Sequence, residues 1–265
     1  MYVDGRALAT SIVADIKRHT ATMSEMPLLT VFTCAPNFET KKFLDLKVKR
    51  AKEAGVSIRV IELSREVTLD QVAAAINQYA NESDGIIIQF PFPHLATADL
   101  IPLIPADLDV DVTHYDGHVD GMLPPVVGAI AEISRVHDID WKGKSVVIIG
   151  KGRLVGAPVA MYAEALGATV TVVTKESNNL DATKDADIIV LGAGSPGLLT
   201  PAMVKTGVVV FDGGTSEEGG MLVGDADQGV ADKAAIFTPV PGGIGPLTIA
   251  ILLKNVLYLA KQHRS

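Results

Sequence analysis

Short apolar runs recur along this chain, and each is separated from the next by a stretch whose apolar residues fall at helical spacing or by a loop rich in Pro, Gly and Asp. PLLTVFTC, VSIRVIEL and DGIIIQFPFP form one series, and KSVVIIG, TVTVV, ADIIVLGAG and GVVVFDGG form a second. Between them, Leu8, Ile12 and Ile16 share one helical face, and helices are predicted over 40–54, stopped by Gly55, over 68–80 and over 155–166. A strand that is apolar on both faces has to be covered on both, and a parallel sheet flanked by helices does this. The fold class expected is therefore α/β with parallel sheets. VSIRVIEL alternates instead, as a strand with one wet face does.

Residues 93–128 divide the two series with Asp, Pro, His and Gly in no clear period, which reads as loops and a domain crossing. The organisation expected is an N-terminal α/β substrate domain over 1–124 and a Rossmann-like nucleotide domain over 125–245. A last helix, within 246–265, is expected to return to the first domain; the loop before it, PVPGGIGPLT, reads either as a plain turn or as backbone held open to lie against something flat.

Charge and hydropathy narrow the partners. The net charge is −8 with no basic block, which argues against nucleic acid and anionic membrane. No apolar stretch is expected to span a bilayer, and Met1 is followed by Asp4 and Arg6 rather than by a signal-peptide core, so a cytoplasmic protein is expected. A single cysteine, Cys34, excludes an internal disulfide. Mean hydropathy of +0.31 is high for a monomer's surface and points to a homo-oligomer, most simply a homodimer.

VVIIGKGRLVGAP is a buried strand followed at once by Gly150, Gly152 and Gly156 and then a helical pattern. In a mononucleotide-binding βαβ unit such glycines give a tight turn and close approach of backbone to phosphate, and helix-terminal amides face the diphosphate. After the next strand come Thr174 and Lys175, where an NAD site would usually present an acid to the ribose hydroxyls. Lys151 adds a second cation, so NADP is favoured over NAD. Glu176 keeps the other choice open, since a shift of one residue would put a carboxylate at that position.

TKKFLDLKVKRAKEAG has a core stripe expected at Leu44, Val48 and Ala51, with Phe43, Lys47, Arg50 and Ala54 beside it. Taken alone, Lys47 is better explained as a solvated lysine snorkelling past a core Phe. Gln89 ends the strand GIIIQ, where open α/β sheets place ligands, and needs a partner there. DLDVDVTHYDGHVD invites a metal, yet counting from Asp107 it puts Val112 at the sixth position and His118 at the twelfth, which fails the calcium-loop pattern. A transition-metal site on His114 and His118 stays a minor alternative, and no metal is expected.

Together, GIIIQFPFP, PVPGGIGPLT, GKGRLVGAP and KFLDLKVKRAKEAGV resemble the GIxVQLPLP, PVPGGVGPMT, GRSxxVGxP and YVxxKxKACEEVGI segments of the bifunctional methylenetetrahydrofolate dehydrogenase/methenyltetrahydrofolate cyclohydrolase (FolD) family. The resemblance implies that Lys47 is the catalytic lysine, Gln89 its hydrogen-bonding partner and Asp111 the carboxylate for the pterin amino groups. It implies that Phe43 faces the substrate, that Pro241, Gly242, Gly243 and Ile244 lay backbone against the folate, and that Gly150, Lys151, Gly152, Arg153, Gly156 and Thr215 join Thr174 and Lys175 around NADP. Three departures stand out: Phe43 replaces the family's tyrosine, PPVVGA replaces PCTPxG, and Gly152 replaces a serine. The activity implied is oxidation of methylenetetrahydrofolate with NADP, followed by hydrolysis to 10-formyltetrahydrofolate, the second step being the one exposed to loss of the tyrosine hydroxyl. A shikimate-type dehydrogenase and a folate-binding protein without turnover are the alternatives.

Overall fold

The computed structural model describes residues 1–177 and 179–264. It divides into two compact units, one of Thr10–Thr113 with Ile249–Ser265 and one of Met1–Ala9 with His114–Thr248. The helix α1 (Gly5–Thr20) contributes residues to both.

The first unit is built on a parallel three-stranded sheet in the order β2 (Ser57–Leu63), β1 (Leu28–Cys34), β3 (Gly85–Gln89). Phe32, Cys34, Ile86 and Ile88 turn one face of it onto Val72 and Ile76 of α3 (Leu69–Ala80) and onto Leu100, which ends the short α4 (Thr97–Leu100). β2 is the half-exposed edge that its alternation predicted. α2 (Phe38–Ala54) starts where the Asn37 side chain accepts from the Thr40 amide at 2.8 Å, and stops at Gly55 in the left-handed conformation. α3 opens with a capping box between Thr68 and Gln71.

The second unit carries five parallel strands in the order β10 (Ile236–Phe237), β7 (Val209–Asp212), β6 (Ile188–Leu191), β4 (Ser145–Ile149), β5 (Thr169–Val173). α5 (Pro125–Val136) precedes β4 and α6 (Gly156–Ala165) follows it. A small antiparallel hairpin, β8 (Ser216–Glu218) with β9 (Met221–Val223), interrupts the parallel series. Strand order reverses between β4 and β6, which makes the carboxyl ends of those two strands the place for a ligand. In the first sheet the same rule points to the ends of β1 and β3.

The unit boundaries differ from the 1–124 and 125–245 read from composition. Met1–Ala9 group with the five-stranded sheet because the chain start pairs with its edge: the Val3 amide donates to the Phe237 carbonyl at 2.9 Å and the Phe237 amide to the Met1 carbonyl at 2.9 Å. Such pairing between residues far apart in sequence leaves no local signal. α7 (Ile244–His263) also corrects an expectation, since it is long and apolar enough to cross a bilayer by length and composition. Two-thirds of its apolar stretch is buried within the protein, and Leu253 and Val256 are fully enclosed, so its composition is that of a core helix.

Candidate active site

Lys47 sits on the buried side of α2. The structure corrects the predicted stripe: Val48 is 44% exposed, whereas Ala54 is fully buried with Leu44 and Ala51. At 100° per residue, positions 44, 47, 51 and 54 fall within one arc, so Lys47 lies inside the buried face. Its Nζ donates to Gln89 Oε1 at 2.5 Å, and Gln89 Nε2 donates to the Phe90 carbonyl at 3.3 Å. Burial pushes the Lys47 pKa below the ordinary lysine range, and the nearby Asp111 carboxylate opposes that shift. The three residues expected to act together are thus gathered at the carboxyl end of β3. Phe43, one turn before Lys47, is 45% exposed and offers a ring with no hydroxyl.

Among the described residues, two buried polar atoms in this unit have no hydrogen-bond partner, Thr33 Oγ1 and Asp109 Oδ1. Thr33 is in register with Gln89 across β1 and β3. The other Asp109 oxygen accepts from the Thr113 amide at 2.7 Å and hydroxyl at 2.6 Å, which fixes the turn carrying Asp111.

In the five-stranded unit, Gly150 has φ 100°, and a methyl group on Gly156 would run into the Gly150 carbonyl oxygen. The first and third glycines are therefore required to fold the loop onto the start of α6. Gly152 meets only an ordinary contact there, consistent with a side chain being tolerated at that position. A cavity of about 410 Å³ opens over this loop, lined among others by Gly150, Lys151, Gly152, Thr174, Lys175 and Glu176. Arg153, Gly156 and Thr215 do not line it; Gly156 is buried at the helix start, and Arg153 and Thr215 are exposed. Glu176 is held below the usual carboxylate range by a hydrogen bond from Thr174, so a cation and an anion stand side by side at the end of β5.

Two acids missed in the sequence shape the far wall of this cavity. Asp225 accepts from the consecutive amides of Ala193, Gly194 and Ser195 at 2.7, 3.1 and 2.6 Å. Asp212, at the end of β7, accepts from the amides of Gly214, Asp225 and Ala226 at 3.0, 3.1 and 2.9 Å. Burial pushes its pKa up to about 6 against the pull of those amides. An acid closing an apolar strand and followed by two glycines, as in VVVFDGG, was the available signal.

The PVPGG turn also belongs to this unit. The Gly243 amide donates to the Pro239 carbonyl at 2.7 Å, Gly242 has φ 113°, and Pro241 follows a cis peptide bond. Ile244 is buried where α7 begins. The ring nitrogens of His118, one of the two histidines considered for a metal, are both engaged, Nδ1 with Asp116 at 2.5 Å and Nε2 with the Met122 carbonyl at 2.8 Å. Among the described residues no cluster of three His, Cys, Asp or Glu forms a metal-sized group.

Two parallel α/β sheets, one followed by a glycine loop over a nucleotide-sized cavity and the other ending in Gln89, which accepts from a desolvated lysine of the adjacent helix, define a dinucleotide-dependent α/β enzyme. Residues 3–111 match the family model of the tetrahydrofolate dehydrogenase/cyclohydrolase catalytic domain, and residues 124–264 match that of its NAD(P)-binding domain. The chain belongs to the tetrahydrofolate dehydrogenase/cyclohydrolase family. It is 36% identical to the bifunctional protein FolD of Campylobacter hominis, over 98% of this chain and 97% of that protein. It superposes on the crystal structure of the FolD methylenetetrahydrofolate dehydrogenase/cyclohydrolase of Campylobacter jejuni with a TM-score of 0.94 at 33% identity, covering 99% of each chain. The Trypanosoma brucei FolD enzyme, solved with NADP cofactor and inhibitor, gives a TM-score of 0.91 at 30% identity, covering 100% of this chain and 98% of the other.

Proposed function

We propose that the protein oxidises 5,10-methylenetetrahydrofolate to the 5,10-methenyl cation with NADP⁺ and hydrolyses that cation to 10-formyltetrahydrofolate. The observation that carries this reading is the Lys47–Gln89 hydrogen bond on the buried face of α2, in a chain that matches both domains of the family. Match along nearly the whole length disfavours a shikimate-type dehydrogenase and a binding protein without turnover.

The division of labour follows from the two sites. Residues 10–113 with the end of α7 form the folate-binding catalytic domain, and residues 114–248 with the first nine form the NADP-binding domain. Bound there, NADP⁺ supplies an acceptor for the hydride that leaves the methylene carbon. Lys151 and Lys175 provide positive charge for the cofactor's phosphates, with the Gly152 amide as a hydrogen-bond donor, Gly150 shaping the turn while its own amide is held by the Val173 carbonyl, and Thr174 lining the cavity. Gly156 seats the helix, and Arg153 and Thr215 extend the same cofactor surface. On the folate side Asp111 accepts paired N–H bonds from the pterin edge, Phe43 presents a ring face, and Pro241, Gly242, Gly243 and Ile244 give backbone contact.

Lys47 does the proton work of hydrolysis. A desolvated amine at Nζ takes a proton from water as the water oxygen bonds to the methenyl carbon. The proton then goes to the ring nitrogen as its bond to that carbon breaks, while the second proton of the water leaves its oxygen for solvent, so that the positive charge departs as a released proton and the formyl group stays on the other nitrogen. Gln89 keeps Nζ pointed at the reacting centre. Hydride transfer depends mainly on orientation of the two rings and so tolerates loss of the tyrosine hydroxyl better than hydrolysis does.

We place the protein in the cytoplasm as a homodimer, with the exposed Met221 and Leu222 of the β8–β9 hairpin as apolar area for a subunit contact. Light scattering of the purified protein checks the dimer. The catalytic reading is tested by following the absorbance of methenyltetrahydrofolate and NADPH after adding methylenetetrahydrofolate with NADP⁺, then with NAD⁺. Turnover with NADP⁺ is expected, and its absence with both cofactors would overturn the assignment.

A further inference from the structure

We propose that Asp225 is a positioning residue for the dinucleotide: by gathering the amides of Ala193, Gly194 and Ser195, its carboxylate fixes the wall of the cofactor cavity that follows β6. The inference rests on the NADP reading of that cavity.

Three successive backbone N–H groups converging on one point make an anion-binding nest. In this chain the nest is filled from within by a fully buried carboxylate at 2.7, 3.1 and 2.6 Å. Ala193 and Ser195, whose amides are held, also line the cofactor cavity, together with Gly192 and Leu198. The loop that closes one side of the cavity is therefore shaped by an acid that does not itself line it.

Asp225 is held in place from behind. Its own amide donates to Asp212 Oδ1 at 3.1 Å, and the next amide, of Ala226, donates to Asp212 Oδ2 at 2.9 Å. On its other side the Leu199 amide donates to the Asp225 carbonyl at 3.1 Å, and the Asp227 amide returns to the Leu199 carbonyl at 2.9 Å. Space around the acid is fitted as closely, because a methyl group on Gly214 would overlap the Asp225 carboxylate and one on Gly224 would overlap that of Asp212. The result is a connected path from the end of β7 through Asp212 and Asp225 to the cavity wall. Charge-assisted bonds to backbone amides are among the stronger polar contacts a protein makes, and a loop held by three of them has little freedom.

Substitution Asp225→Asn keeps the shape but presents an NH₂ group to at least one of the amides. NADPH binding to the full-length protein, followed by nicotinamide fluorescence, is expected to weaken about tenfold, the scale of losing one charged hydrogen bond. KM for NADP⁺ is expected to rise by a similar factor, with kcat at saturating cofactor within about twofold and hydrolysis of methenyltetrahydrofolate, which consumes no cofactor, unchanged. A merely structural acid would lower kcat and the amount of folded protein without this split. If Asp225→Asn fails to fold, Gly214→Ala, which pushes on the carboxylate without removing it, is expected to show the same split at smaller size. NADPH affinity within about twofold of the unaltered protein in the folded variant overturns the inference, as does a fall in kcat with KM unchanged. Failure of the unaltered protein itself to bind NADPH would instead overturn the cofactor reading beneath it.

Discussion

Lys47 in the three-stranded unit and Asp225 in the five-stranded unit are both ionisable groups withdrawn from water, but they are partnered differently. Lys47 directs a hydrogen bond to the neutral carboxamide of Gln89, and burial drives it toward the free amine. Asp225 collects three backbone amides, and Asp212 behind it collects three more. A buried cation whose desolvation outweighs the pull of a nearby carboxylate, here Asp111, is ready to give up its proton, so it is suited to chemistry. A buried charge surrounded by fixed dipoles is suited to holding a shape.

Removing the amine should break the contrast most severely. Lys47→Met is expected to lower hydrolysis at least about a hundredfold, the usual scale for losing a general base, while hydride transfer falls much less. Separate readings of methenyl consumption and NADPH formation check this, and equal loss of both steps would show that Lys47 only shapes the site. Hydrolysis by the unaltered protein should rise with pH as Nζ loses its proton below the ordinary lysine range. The Met variant should lack that rise.

Next in size is the acid pair. Asp212→Ala orphans three buried amides and is expected to cost about 3 kcal/mol of stability, read from the denaturant midpoint. The charge on Asp212 carries its own pH signature. Because burial raises its pKa to about 6, the folded state binds the proton more tightly than the unfolded state does. Its contribution is therefore complete below the unfolded carboxylate value of about 3.9 and is lost as pH rises through about 6, a loss of at most about 3 kcal/mol. Unfolding midpoints between pH 4 and 7 should show this slope, and Asp212→Asn should flatten it.

Smaller effects sharpen the two sites. Phe43→Tyr restores a hydroxyl one turn from Lys47 and is expected to raise hydrolysis about threefold, with hydride transfer unchanged. Glu176→Gln removes the anion beside Lys175 and should shift the NADP⁺ to NAD⁺ preference about threefold toward NADP⁺, measured as the ratio of kcat/KM values.

What could be read from the sequence was local. Apolar runs marked β1, β3, β4, β6 and β7, Gly55 marked the end of α2, and the glycines after Ile149 marked the nucleotide loop. Lys47 and Gln89 could be paired because one is on a helix with visible period and the other ends an apolar strand. The stripe itself was misplaced, since a face rich in Phe, Val and Lys gives a shallow contrast and Ala54 carries almost no hydrophobic signal. Asp212 and Asp225 were passed over because their partners are backbone amides, which no residue letter records. The pairing of the chain start with β10 was hidden for the same reason.

That pairing restricts how the protein can be taken apart. A fragment running from His114 to Thr248 would leave Phe237 without the backbone neighbours that Met1 and Val3 provide, and a fragment ending at Thr113 would carry those nine residues away from the sheet they border. Neither half can therefore be cut out as one continuous piece of sequence with all its own contacts. A rearranged chain in which the first nine residues are relinked ahead of His114 would be the fairer subject for studying cofactor binding in isolation.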